Sequence, residues 1–175
     1  MTLEELQSNE ELRNFEFPVT KDKIFLGHAG VCPLPRRVHE AIQRYSEACT
    51  AQDQEVVQPA SWLKETRQSA ADFLGARLEE VAFVGPTSQG LSFVAEGLEI
   101  RKNQNVLVYQ DDYPSNVYPW MAMAERGIEV RFLNLRELGV IRPRDVLGQI
   151  DENTRLVALA SCHFLSGYRI DLDAI

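Results

Sequence analysis

Apolar and polar positions in the second half of the chain alternate between strand-length and helix-length patterns. Short, mostly apolar runs, two of them with two valines each, stand at 81–85, 106–109, 130–133 and 156–160. The segments between them have helical spacing, at 89–98, 117–126 and 143–150. Strand and helix alternating in this way predict right-handed crossovers and a mostly parallel sheet with helices on both faces. The predicted fold class is therefore α/β, with an incomplete sheet.

The first half of the chain predicts mainly helices. Residues 2–13 have the pattern of a short surface helix, and 24–26 that of a short strand leading into the loop GHAGVCPLP. Pro35 suits the first position of a helix, because its missing N–H costs nothing there. One face of that helix carries Val38, Ile42 and Tyr45. A further helix at 61–74 is expected to end at Gly75 and to bury Trp62, Ala70, Phe73 and Leu74.

Composition excludes several classes of function. The chain is 45% hydrophobic and 25% charged, which is typical of a globular protein. Its formal charge of −8 argues against a nucleic-acid partner, which requires clustered Lys and Arg. No apolar run is long enough for a bilayer, and the acidic, amphipathic start is unlike a secretory signal. The three cysteines, widely spaced, indicate neither a disulfide framework nor a zinc site and predict a cytoplasmic protein.

Parallel sheets bind ligands where a strand gives way to a helix, and three loops stand at such places. In the first, FVGPTSQG, Thr87 and Ser88 come at a predicted helix start, where open N–H groups and the helix dipole favour a phosphate. Ser and Thr are equally ordinary helix caps, and that alternative stays open. The stretch is neither a Walker loop nor a GxGxxG fingerprint.

The other two loops each contain a ring that suits a flat or polar ligand. In YQDDYPSNVYPW, Tyr113 precedes a proline and can cover a ligand face, or it can simply pack the top of the domain. In ASCHFLSGYRIDL, His163 can hydrogen-bond a ligand, or it can be a structural hydrogen-bonding residue. Cys162 is interpreted as a small hydrophobe rather than a nucleophile, since the sequence shows no evident activating partner.

Taken together and in order, these segments resemble the class V aminotransferase and cysteine desulfurase family of fold type I pyridoxal-phosphate enzymes. The resemblance runs from about Lys23 to Ile175 through IFLGHAGVCPLP, GARLEEVAFVGPTSQGLSFVAEGL, DDYPSNVYPWMAMAERGIEV and LVALASCHFLSGYRIDLDAI. Its detail is closest to the isopenicillin-epimerase-like and kynureninase-like branches. The desulfurase branch usually has histidine where Tyr113 stands.

The resemblance implies pyridoxal 5′-phosphate as cofactor and a small amino acid as substrate. Thr87 and Ser88 would bind the cofactor phosphate, Tyr113 would stack on its ring, and His163 would lie near its phenolic oxygen. His28 and Ala29 would border the substrate, and Asn116 would brace the second loop. The complete enzyme is expected to be a homodimer.

The resemblance also implies an incomplete site. Family members place the acid that supports the pyridine nitrogen, and then the Schiff-base lysine, beyond the region matched here. We expect residues 1–22 to form a helical arm, 23–175 to form part of the cofactor-binding large domain, and this stretch to be inactive alone. The alternatives are a non-catalytic phosphate-ligand-binding or interaction module derived from this fold, and an unrelated flavodoxin-like domain.

Overall fold

The computed structural model describes residues 1–27 and 30–175, which cluster into two compact units, Met1–Ala82 and Phe83–Ile175. The predicted division at residue 22 stays a prediction. Within the second unit the sheet has three parallel strands, in the order β2-β1-β3. The strands are β1 (Asn105–Val108), β2 (Glu129–Phe132) and β3 (Thr154–Ala158).

The first unit is helical. Its α-helices are α1 (Leu3–Ser8), α2 (Glu10–Glu16), α3 (Arg36–Ala51), α4 (Gln54–Val57) and α5 (Ala60–Leu74). Short 3₁₀ turns follow at Pro18–Lys21 and Leu78–Glu80. Side chains of α3 tie it to α2: Arg37 Nε lies 2.6 Å from Glu16 Oε1, and this carboxylate is almost fully buried. A buried charge of this kind requires a partner, and Arg37 provides it.

Helices cover both faces of the sheet in the second unit. They are α6 (Thr87–Gly97), α7 (Tyr118–Met121) and α8 (Pro143–Leu147), with 3₁₀ turns at Pro114–Asn116, Ala122–Arg126 and Leu172–Ala174. Successive residues of β1 point to opposite faces. One cluster contains Val106 and Val108 with Trp120, and the other contains Leu107 with Ile141. The α/β prediction is confirmed, with a hydrophobic core on each side of the sheet.

Some expectations about individual elements are wrong. Residues 81–85 and 24–26 form no strand, because neither segment has a pairing strand within the described part of the chain. Residues 117–126 form a short α-helix and a 3₁₀ turn instead of one helix, ended by Gly127 in the left-handed conformation. The helix α5 ends at Gly75 as expected, yet Trp62, Phe73 and Leu74 are exposed.

No helix in the described residues is both long and apolar enough to pass through a membrane.

Candidate active site

The first candidate position is the start of α6, which begins at Thr87. The residue before it, Pro86, makes no side-chain cap, and its carbonyl accepts hydrogen bonds from the N–H groups of Gln89 and Gly90 at 2.9 and 3.2 Å. The N–H groups of Thr87 and Ser88 therefore stay open, as the first amides of a helix do. Neither hydroxyl caps the helix, and both side chains are exposed. The capping alternative for these residues thus loses its support.

Asp112 organises the loop after β1, which carries Tyr113. The Asp112 carboxylate is buried and accepts three hydrogen bonds: from Tyr113 N–H at 2.7 Å, Asn116 Nδ2 at 3.0 Å and Ala160 N–H at 3.1 Å. Asn116 Oδ1 in turn accepts from the indole N–H of Trp120 at 3.1 Å. Asn116 therefore braces the loop from within, as expected. Ala160 follows β3, so the same carboxylate joins two strand-end loops.

The ring of Tyr113 is the exposed part of this loop. It is 56% exposed and meets the ring of Phe164 edge-on, with centroids 5.3 Å apart and planes at 88°. An edge-to-face contact involves at most one face of the tyrosine ring, so this contact leaves the other face for a flat ligand. The turn Pro114–Asn116, immediately after Tyr113, packs against α6, the helix that starts at Thr87.

His163 lies deeper than the sequence predicted for a ligand-binding residue. Its side chain is 1% exposed, and both ring nitrogens have protein partners. Nε2 lies 3.0 Å from the carbonyl oxygen of Asp111, and Nδ1 lies 3.2 Å from the amide nitrogen of Ser166. The direct contact with a cofactor oxygen stays a prediction, and it would require one of these bonds to break.

The structure brings some of the predicted residues together. Tyr113 and His163 share a neighbour, Phe164, whose ring contacts both. Among the described residues no hydrogen bond joins the Thr87 or Ser88 side chain to either ring. The substrate positions His28 and Ala29 lie outside the described residues. Sequence reasoning missed Asp112 as the anchor of Tyr113, although a short carboxylate directly before the loop tyrosine is a common backbone-bonding signal.

The chain belongs to the aminotransferase class-V family, whose model matches residues 24–175. This is a family of pyridoxal-phosphate-dependent enzymes, and the three-stranded parallel sheet is part of the fold type I architecture. The recognition made from the sequence is confirmed.

Individual relatives agree with this assignment. A probable cysteine desulfurase of Methanothermobacter thermautotrophicus is 32% identical over 149 residues, covering 82% of this chain and 37% of that protein. The apo structure of a cysteine desulfurase from Thermococcus onnurineus NA1 is 25% identical with a TM-score of 0.75, over 94% of this chain and 43% of the other. A structure of a C-DES mutant with glycine covalently linked to the PLP cofactor has a TM-score of 0.79 over 93% of this chain and 44% of the other, at 19% identity, and supports the fold alone. The chain spans about two fifths of the length of these proteins.

Proposed function

We propose that these 175 residues are the amino-terminal part of a pyridoxal-phosphate-dependent enzyme that acts on an amino acid. In this proposal Thr87 and Ser88 bind the cofactor phosphate and Tyr113 lies against its ring. The observation that carries it is the open start of α6, where two N–H groups and two hydroxyls have no partner among the described residues. These donors and the helix dipole suit a phosphate, and an accessible aromatic face lies on the loop packed against the same helix.

Bound pyridoxal phosphate supplies an electron sink for reactions at an amino acid. The described residues contribute binding and orientation. Asp112 fixes the backbone at Tyr113, and His163 acts on the same loop through Asp111. We propose further that His28 and Ala29 border the substrate, that the complete enzyme is a homodimer, and that it works in the cytoplasm.

The reaction type follows from the relatives only in part. The relatives named above include cysteine desulfurases, which makes cysteine the first amino acid to test. Tyr113 stands where the desulfurase branch usually has histidine, so other amino acids belong in the same assay.

We also propose that the Schiff-base lysine is not among these residues. Lys102 is the only lysine of the second unit. It precedes β1 and therefore lies at the amino ends of the strands, opposite the carboxyl ends where the candidate site lies. The other lysines, Lys21, Lys23 and Lys64, belong to the helical unit. Turnover of an amino acid by these 175 residues alone would contradict this part of the proposal.

The proposed phosphate site can be tested without turnover. Pyridoxal 5′-phosphate, pyridoxal and inorganic phosphate are titrated into the ¹⁵N-labelled chain, with the backbone amides of Thr87 and Ser88 followed by NMR. We expect the phosphate ester to shift these amides, and the pair of substitutions Thr87→Ala and Ser88→Ala to weaken its binding at least about tenfold, because each removes a hydrogen bond to a charged group.

The matched control is Ser92→Ala, one turn further along α6, whose hydroxyl donates to the carbonyl of Ser88 and has no other hydrogen bond within the described part of the chain. It should leave binding unchanged. Equal binding of pyridoxal and its phosphate would contradict the site. Phosphate-ester binding that is indifferent to Tyr113→Ala would favour the alternative of a non-catalytic phosphate-ligand module.

A further inference from the structure

His163 is the centre of a buried polar network that joins three loops at the carboxyl ends of the strands. The network consists of Tyr109, Asp111, Gly139, His163 and Ser166, and we call it the His163 network. Tyr109 and Asp111 follow β1, Gly139 follows β2, and His163 and Ser166 follow β3. None of these residues except His163 was singled out by sequence reasoning.

The partners of the imidazole define a single tautomer. Nε2 faces the carbonyl oxygen of Asp111, which can only accept a hydrogen bond. Nδ1 faces the N–H of Ser166, which can only donate one. Both contacts are satisfied together only when the proton is on Nε2. The Ser166 hydroxyl also lies 3.1 Å from Nδ1, but it donates to the carbonyl of Gly139 at 3.1 Å.

Gly139 completes the network and is fitted to the imidazole. Its N–H donates to the Tyr109 hydroxyl oxygen at 2.8 Å, and its φ of +68° is in the left-handed region that favours glycine. A Cβ at this position would lie 2.0 Å from His163 Nδ1, closer than atoms of these types can approach. The ring is thus held between the backbone of one loop and the carbonyl of another, with 1% of its surface exposed.

We propose that His163 is a positioning residue, fixed as the Nε2–H tautomer, that holds the Tyr113 ring at the cofactor site through the carbonyl of Asp111. Asp111 stands two residues before Tyr113, and Phe164, next to His163, meets the tyrosine ring edge-on. Together with the hydrogen bond from Ala160 N–H to the Asp112 carboxylate, three contacts therefore connect the β3 loop to the Tyr113 loop. The function of Tyr113 in this statement rests on the proposed cofactor site, whereas the tautomer and the loop contact do not.

Two substitutions test the two hydrogen bonds of the imidazole, to Asp111 and to Ser166, one at a time. In His163→Gln the side-chain amide nitrogen can reach the position of Nε2 and still donate to Asp111. In His163→Asn the side-chain oxygen can take the place of Nδ1 and accept from Ser166, but the bond to Asp111 is lost. Both variants lose ring packing, so a purely structural histidine predicts similar changes in the two.

The experiment begins with the unaltered chain, where ¹⁵N NMR of the imidazole should report a neutral ring protonated at Nε2. Hydrogen exchange of segment 109–116 is then compared among the three proteins. We expect His163→Asn to speed exchange in this segment about five- to tenfold, as loss of one buried hydrogen bond would, and His163→Gln to stay within about twofold of the unaltered chain. Exchange at β1 should be equal in the two variants.

The proposal is overturned by an Nδ1–H tautomer, or by equal acceleration of exchange in the two variants. These outcomes are independent of the cofactor. If pyridoxal phosphate fails to bind while the Asn and Gln variants differ as expected, the proposed function is wrong and the loop contact stands. If the cofactor binds, its affinity should fall more in His163→Asn than in His163→Gln.

Discussion

At the scale of single residues, the site depends on backbone positions that accept only one type of residue. Gly139 is the clearest case, because its left-handed φ and its contact with the imidazole act together. Gly167 has nearly the same φ, +69°, but a Cβ there would meet nothing within 4 Å. The two glycines therefore separate backbone strain from steric overlap.

We expect Gly139→Ala to lower the free energy of unfolding by about 3 kcal/mol, combining about 1–2 kcal/mol of left-handed strain with the cost of displacing the imidazole. Gly167→Ala should cost only the same strain, about 1–2 kcal/mol. Urea unfolding of the two variants measures the difference. Equal losses would show that the imidazole moves away from Gly139 at no cost.

Some residues of the site could be predicted from the sequence and others could not, depending on how far apart in the sequence the interacting residues lie. The start of α6 at Thr87 was accessible because a helix start depends on its own few residues. The partners of His163 were not, since Asp111 lies 52 residues away along the chain. A histidine that bonds two backbone groups and one that bonds a ligand look the same in a sequence.

At the scale of elements, one carboxylate connects all three strands near their amino ends. Asp151 Oδ1 accepts hydrogen bonds from Asn105 Nδ2 of β1 and from the Thr154 hydroxyl of β3, each at 3.0 Å. Its Oδ2 forms an ion pair with Arg131 of β2. The hydrogen bond from Asn105, followed by those from Thr154 and Asn153 and the charge of Arg131, lowers the pKa of the Asp151 carboxyl against the opposing effect of burial.

This pKa shift predicts an acid-dependent contribution to stability. Because the folded-state pKa is below the unfolded value of about 3.9, the ionised carboxylate stabilises the fold above that pH, and the contribution is lost as the pH falls through the folded-state pKa. Asp151→Asn should therefore lower the urea midpoint at pH 7, and the difference from the unaltered chain should shrink below about pH 4.

The control for Asp151 is Asp173→Asn, which makes the same charge change at an exposed carboxylate for which no hydrogen bond or ion pair is found among the described residues. It should leave the midpoint nearly unchanged at both pH values. A difference at Asp151 that is the same at pH 7 and pH 3 would refute the electrostatic explanation.

Helices and strands were predicted well where the pattern of apolar residues defined them, and poorly where a strand depended on pairing with a neighbour. The strand β1 was recognised because a strand buried on both faces is apolar almost throughout, and β2 and β3 because each lies in a short, mostly apolar run between helical segments. The run at 81–85 is at least as apolar, yet it forms no strand. Composition gives a segment its preference for extended backbone, but a strand also needs a neighbour to accept its hydrogen bonds.

At the scale of the whole molecule, apolar side chains are exposed on both units. Phe73 and Leu74 are exposed at the end of α5, and Phe93 and Val94 are exposed on α6. Contiguous apolar surface of more than a few hundred Å² is uncommon on monomeric proteins and marks surfaces that associate.

We therefore expect these 175 residues to be oligomeric or poorly soluble when produced alone. Size-exclusion chromatography with light scattering measures this directly. The pair Phe73→Lys and Phe93→Lys should shift the distribution towards monomer, whereas Gln68→Lys, which adds charge at an exposed polar position of α5, should not. A monodisperse monomer that melts cooperatively would contradict the expectation.

The strand order has a consequence for how the chain is made. The central strand, β1, is synthesised first, and both of its neighbours come later, at 129–132 and 154–158. At ordinary rates of translation, about 5–20 residues per second, the ribosome needs roughly 3 to 10 seconds to pass from the end of β1 to the end of β3. Throughout that interval β1, the most apolar strand, has at least one unpaired edge. We therefore expect chaperones to bind this segment of the nascent chain before the three strands have paired.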